Sequence, residues 1–328
     1  MNKLILPLTA LCLSLLASAS AKPLRPGPQR PAGGTVLITL GTRGGPLPTA
    51  DRSQSANLLV VNGALYLIDA GDNVTRRIVQ SGHDFKAVDK VFLTHAHGDH
   101  TAGLITLLGA AWDYQRRTPI DVFSSGADRL VAGALAFLAI SAEIRSSTGK
   151  NTPLTDIVRA REVSGGLLYE DANVKVYAAE NSHFAFEPGS PLAGRHRSFS
   201  YRFETPQRVI VFTGDTGPSA AVTELAKGAD LLVSEIGDPD AVIAAQKKSG
   251  VWANKTEGER QGLERHLRMR HLSAEDIGKM ATEAGVKRVV LTHLVPTVNP
   301  RDSYRRYIAM VRRFYKGPVE VASDLRRF

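Results

Sequence analysis

Cysteine is nearly absent: Cys12 is the only one in 328 residues, and it falls in an N-terminal stretch with the marks of a removable leader. Without it the chain has no thiol. Disulfides and thiolate ligands are then excluded, and any metal must sit on His, Asp or Glu. Aromatic residues are sparse, at 6%, which argues against the stacking groove of a single-strand nucleic-acid binder. The apolar run Leu4–Leu16 is too short for a permanent membrane span. No linker is evident between Val36 and the C-terminus, and no short-period repeat. One charge sign is in excess, with 41 Lys+Arg against 32 Asp+Glu and a net charge of +9. That balance suits an anionic substrate, nucleic acid or an acidic membrane face, and equally plain solubility.

The N-terminus has Lys3, then Leu4–Leu16, then Ala19-Ser20-Ala21 before Lys22. This is the pattern of a secretory signal peptide over residues 1–21, and it predicts a periplasmic or secreted protein. A buried N-terminal helix fits poorly with the Pro-rich stretch that follows. A lipoprotein anchor on Cys12 fits poorly with Leu11 before it. Residues 22–34 are rich in Pro, Gly and Arg and read as extended. Roughly 300 residues remain, enough for one large or two ordinary domains, and the absence of a linker favours one, spanning 35–328.

Short apolar or β-branched runs predict strands at Thr35–Leu40, Leu58–Val61, Ala64–Asp69, Lys90–Thr94, Ile120–Ser124, Val174–Ala178, Ser198–Glu204, Arg208–Thr213, Asp230–Glu235 and Lys287–Thr292. Asn62-Gly63 reads as a hairpin turn. Helical signals alternate with the strands. Ala220–Lys227 follows Pro218, and Ser273 with Asp276 three residues on opens a helix that Gly285 closes. Residues 126–165 stand apart. Leu130–Ile144 is helix-like and largely apolar, and either a lid over a site or a packing helix fits it.

The densest chemistry lies in "VFLTHAHGDHTAGL", where His95, His97, Asp99 and His100 crowd into six positions although the chain has nine histidines in all. On an extended segment His95 and His97 point to one side. Gly98 lets the chain turn and re-aim Asp99 and His100. Imidazole and carboxylate at this density suit zinc or a similar divalent ion. Three further donors follow β-type runs: His183 in "VYAAENSHF", Asp215 in "VIVFTGDTGPS" and His293 in "VKRVVLTHLVP". Each alone reads equally as a loop histidine, a turn or helix-capping carboxylate, and a satisfied core histidine. Together they place every spare donor at a strand end, where loops of one sheet edge converge.

These residues resemble the metallo-β-lactamase superfamily. "THAHGDH" matches its His-x-His-x-Asp-His signature, and "LIDAG" resembles the strand end before it, where Asp69 takes a structural role. The resemblance runs from about Thr35 onward. It implies an α/β (α+β) four-layer αββα sandwich with the site at one edge of two sheets. It also implies that His95, His97 and His183 hold one ion, that Asp99, His100 and His293 hold a second, and that Asp215 bridges them. Two zinc ions about 3.5–4 Å apart, the favoured cofactors, share a carboxylate and a hydroxide in such sites.

The branch follows from finer marks. Asp215 together with the missing cysteine argues against a true lactamase. "TLGTRGGPLPTADRSQS" looks like the Gly-Thr-Gly-Gly-x-Pro opening of the ribonuclease Z-like branch, which includes secreted arylsulfatases; Arg43 stands where that motif has a glycine. His271 in "RHLSAEDIG" resembles the branch's leaving-group histidine. Only a short stretch separates His183 from Asp215, where ribonuclease Z inserts its transfer-RNA arm. The expectation is therefore an exported dinuclear hydrolase of a small anionic ester, arylsulfate before phosphodiester. A metal-bridging hydroxide would attack, with Asp99 and His271 as catalytic residues. A nuclease, or a non-catalytic metal- or ligand-binding protein on the same fold, are the alternatives. Nucleic acid is not favoured as partner, no membrane anchor is expected, and a dimer is compatible with the sequence.

Overall fold

Alternation along the strands sets the layers. In the computed structural model, which describes residues 33–149, 152–187, 189–296 and 304–328, neighbouring apolar residues of each central strand go to different cores. Ile38, Leu58, Leu67, Val91 and Val122 face an outer helical layer, while Leu37, Leu59, Ile68, Phe92 and Phe123 face the space between two sheets. Strands buried on both faces read as near-continuous apolar runs, which is why they were conspicuous in the sequence.

The first sheet begins as an antiparallel meander of β1 (Thr35–Gly41), β2 (Ala56–Val61) and β3 (Ala64–Ile68). Asn62 and Gly63 join β2 to β3, and both take positive φ, as a type I′ hairpin requires. Then β4 (Val88–Phe92), β5 (Ile120–Ser124) and β6 (Val158–Glu162) add in parallel. The second sheet pairs β7 (Gly166–Glu170), β8 (Lys175–Glu180), β9 (Phe199–Glu204) and β10 (Val209–Phe212) antiparallel. It continues in parallel through β11 (Leu231–Gly237), β12 (Val289–Val295) and β13 (Val319–Val321). The short β14 (Arg326–Arg327) returns to β1, giving two seven-stranded sheets.

Helices cover both outer faces. α1 (Val74–Gln80), α2 (Gly98–Asp113) and α3 (Ala127–Ser146) lie on the first sheet; Leu104, Leu107, Leu108 and Ala111 form the buried stripe of α2. α4 (Ala220–Leu225), α7 (Ala274–Glu283) and α8 (Tyr304–Arg312) cover the second, with α5 (Pro239–Lys248) and α6 (Glu257–Met269) between β11 and α7. The capping box of α7, Ser273 with Asp276, forms as the sequence predicts. This is the four-layer αββα sandwich.

Within 126–165, Val131, Ala134, Leu135 and Leu138 of α3 pack on the outer core, and β6 extends the sheet; the sequence reading left that strand out. The described residues form one compact unit. The signal-peptide segment and nearly all of 22–34 lie outside the described residues. Among the described residues no helix is long and apolar enough to cross a membrane. The sheets meet at one edge, where Phe199 N–H donates to Thr94 O at 2.9 Å and the Tyr201 hydroxyl donates to Leu93 O at 2.7 Å. That edge positions the site.

Candidate metal centre

Past β4 the chain bends at Thr94 and runs without regular structure to His97, which is the N-cap of α2. Asp99 and His100 therefore occupy the first turn of a helix, where the sequence suggested only a turn at Gly98. The apolar stripe of α2 draws the helix onto the sheet from Gly98 onward, and Asp99 gains from the helix N-terminus. His293 differs in a related way. It lies within β12, not past its end, as a bulge residue at φ 44° between Thr292, opposite Glu235, and Leu294, opposite Ile236. The extra residue re-aims its ring toward the other donors. Gly44 makes room beside it: a Cβ there would lie 2.5 Å from His293 Nδ1.

The seven residues singled out as ligands converge. His97 Nδ1 lies 3.0 Å from His95 Nε2 and 3.2 Å from His183 Nε2. His293 Nε2 lies 3.3 Å from Asp99 Oδ2, and His100 Nε2 lies 3.6 Å from the same oxygen. Asp215 stands between the two groups. Its Oδ1 is 3.1 Å from His293 Nε2 and 3.3 Å from His100 Nε2, while its Oδ2 is 3.9 Å from His95 Nε2 and 4.0 Å from His183 Nε2. All but His97 are buried, so His97 marks the mouth.

Outer partners fix which nitrogen faces inward. His100 Nδ1 donates to Asp69 Oδ2 at 2.9 Å, and Asp69 also accepts from the Thr94 amide at 2.8 Å. His183 Nδ1 donates to Arg270 O at 2.9 Å, and Asp99 Oδ2 accepts from the Gly45 amide at 2.8 Å. Such partners set the tautomer of a ligating imidazole. Burial holds His95 well below the ordinary imidazole range and brings His183 down to about 3, so both offer lone pairs. Burial opposes charge on Asp215 as well, yet the imidazoles of His293 and His100 keep it ionised. His100 moves the other way: burial disfavours its cation, but Asp215, Asp69 and Asp99 outweigh that.

His271 sits beside this cluster. Its Nδ1 donates to Glu235 Oε2 at 2.6 Å and lies 3.9 Å from Asp215 Oδ2. Burial resists the charge on His271, but Glu235 and then Asp215 lift its pKa to about 9. Two residues escaped the sequence reading. Glu235 lies in β11, beside the strand that leads to Asp215, and the same search for strand-end carboxylates would have found it. His266, whose Nε2 is 3.3 Å from His271 Nε2, comes from the hydrophilic helix α6 and carries no local signal. Arg197 is engaged by Glu180 at 2.6 Å.

The donors suit divalent metal. Ligands about 2.0–2.1 Å from a tetrahedral zinc stand about 3.3 Å apart, the spacing seen within both groups. His100 Nε2 and Asp215 Oδ1 are buried without a hydrogen-bond partner, a state that costs free energy unless something else occupies those lone pairs. The sequence profile of the beta-lactamase superfamily domain matches residues 65–294. The chain belongs to the metallo-β-lactamase superfamily. Within it this member is ribonuclease Z-like. Ribonuclease Z of Brevibacillus brevis is 29% identical over 336 positions, covering 88% of this chain and 95% of that protein. Among solved structures, the metallo-beta-lactamase fold protein YhfI from Bacillus subtilis superposes with a TM-score of 0.63 at 18% identity, covering 90% of this chain and 98% of the other. Human tRNase Z, short form, does so with a TM-score of 0.61 at 21% identity, covering 89% and 98%. As a superfamily member the chain is a metal-dependent hydrolase with a divalent-metal centre of His and Asp.

Proposed function

We propose that this hydrolase is a dinuclear zinc phosphodiesterase acting on nucleic-acid-type phosphodiesters, exported by its N-terminal segment. One observation carries the dinuclear reading: the two oxygens of Asp215 face two separate donor groups, one of three imidazoles and one of two imidazoles and a carboxylate. His95, His97 and His183 would hold one ion, Asp99, His100 and His293 the other, and Asp215 would join them. When bound, the ions supply Lewis acidity toward the ester oxygens and activate water.

The chain's own groups divide the remaining work. Asp99 Oδ2 is committed to Gly45, His100 and His293, which leaves Oδ1 to take a proton from the attacking water. Glu235 keeps His271 protonated at neutral pH. His271 Nε2 then gives that proton to the departing oxygen. The likeness to proteins named Ribonuclease Z favours phosphodiester over the arylsulfate put first from the sequence. The test is to assay the zinc-loaded protein, lacking residues 1–21, on chromogenic phosphodiester, aryl sulfate, lactone and lactam, and on short RNA. Phosphodiester and RNA turnover, abolished by Asp99→Asn, is expected; faster sulfate turnover would overturn the substrate assignment.

A further inference from the structure

Seven of the nine histidines gather at the site, but the proposed metal pair uses five of them. The other two, His266 and His271, face each other through Nε2 atoms 3.3 Å apart. That separation equals the ligand-to-ligand spacing inside the two donor groups. In the free protein the proton on His271 Nε2 bridges this gap to His266, and a divalent ion can take its place between the same two nitrogens.

We propose that His266 and His271 form a third, weaker divalent-cation site that inhibits the enzyme when filled. Three features support it. His271 carries the outer partner typical of a ligating histidine, a buried carboxylate on its far nitrogen: Glu235 Oε2 at 2.6 Å, itself fixed by the Thr216 amide on Oε1 at 2.5 Å. The His183 ring walls the third side, 5.5 Å from that of His266 and 5.0 Å from that of His271, but its nitrogens are engaged by Arg270 O and by the first donor group, so His266 and His271 are the protein ligands and water completes the shell. His266 is half-buried and open to solvent on one side, which gives an ion a route in. Several contacts position the helix that carries His266. A capping box of Thr256 and Glu259 starts α6, Arg268 ties it to Asp240 at 2.7 Å, and Arg270 donates to Ser182 O at 3.1 Å. An all-imidazole set selects zinc, copper or nickel over magnesium or calcium. With Nε2 of His271 coordinated, that atom has no proton to donate. This inhibitory consequence rests on the proposed role of His271; the binding does not.

The experiment titrates the two-zinc protein with further zinc in metal-buffered solution, reading bound equivalents by equilibrium dialysis and turnover of a poorly activated phosphodiester. Cobalt(II) substitution gives an independent absorption readout of the added equivalent. Wild type is expected to take up a third equivalent and lose activity in parallel. His266→Gln should keep two equivalents while its affinity for the third falls about tenfold or more, since even an outer partner of a ligand is worth about 10–100-fold. Circular dichroism checks that the variant is folded. A third equivalent bound equally by His266→Gln, or none bound by wild type, overturns the site. Loss of the third equivalent without relief of inhibition overturns the switch. Failure of wild type to hold the first two ions would instead overturn the dinuclear function.

Discussion

His271 Nδ1 and Glu235 Oε2 form a buried hydrogen-bonded pair 2.6 Å apart. Burial alone would push the imidazole toward neutrality, and the carboxylate reverses that, lifting the pKa to about 9. A raised pKa means the charged form is favoured in the folded protein. That advantage is complete below the ordinary value near 6.5 and is lost as pH rises through about 9. Turnover of a poorly activated ester should therefore fall on an alkaline limb near pH 9. In Glu235→Gln the limb should move to lower pH, measured as kcat against pH.

Proton donation matters most when the departing oxygen is a poor leaving group. His271→Ala should slow an alkyl phosphodiester by about 10²–10⁴-fold, the usual contribution of general acid catalysis. A nitrophenyl ester leaves as its anion, so it should lose much less. Metal analysis alongside guards against an alternative: loss of an ion would make His271 a primary ligand.

Asp215 faces both donor groups, so its removal should reach both ions. Asp215→Ala is expected to lower zinc content below two equivalents and cut kcat/KM by about 10²-fold or more, the typical cost of deleting one electrostatic group at a reacting centre. Elemental analysis of the dialysed variant decides this. A single tight ion in wild type, unchanged in the variant, would refute the bridging role.

Gly44→Ala probes the wall behind His293. The added carbon would sit 2.5 Å from both His293 Nδ1 and Val295 Cγ2, and overpacking of this kind typically costs about 1–3 kcal/mol. Lower stability to urea together with weaker retention of one of the two ions is expected, because His293 belongs to only one donor group.

Export predicts processing after Ala21. Mass spectrometry of periplasmic or secreted material should show a chain beginning at Lys22. A chain beginning at Met1 would remove the case for a leader.

Much of the centre was legible because metal chemistry leaves local traces. His95, His97, Asp99 and His100 are close in sequence, His183 and Asp215 each follow a strand, and His293 follows an apolar run within β12. The strands themselves stood out because Val91 and Phe92, or Leu232 and Val233, serve two different cores from adjacent positions. What escaped depends on long-range packing. The aim of His293 comes from a bulge against β11, which no local pattern announces. His266 reaches the site through the tertiary placement of α6, with Leu267 buried beside it and Arg270 bonded to the loop at Ser182. β14 is two residues long and exists only as a partner of β1.

Each proposed ion draws its donors from both halves of the chain: His95 and His97 need His183, while Asp99 and His100 need His293. The first-half residues alone complete neither shell. During synthesis the cluster in "THAHGDH" emerges almost two hundred positions before His293, and it must wait for the second sheet to dock. With the proposed ligand sets, acquisition of both ions would be a late event in maturation, and a chain holding its full complement would be one whose two halves have found each other.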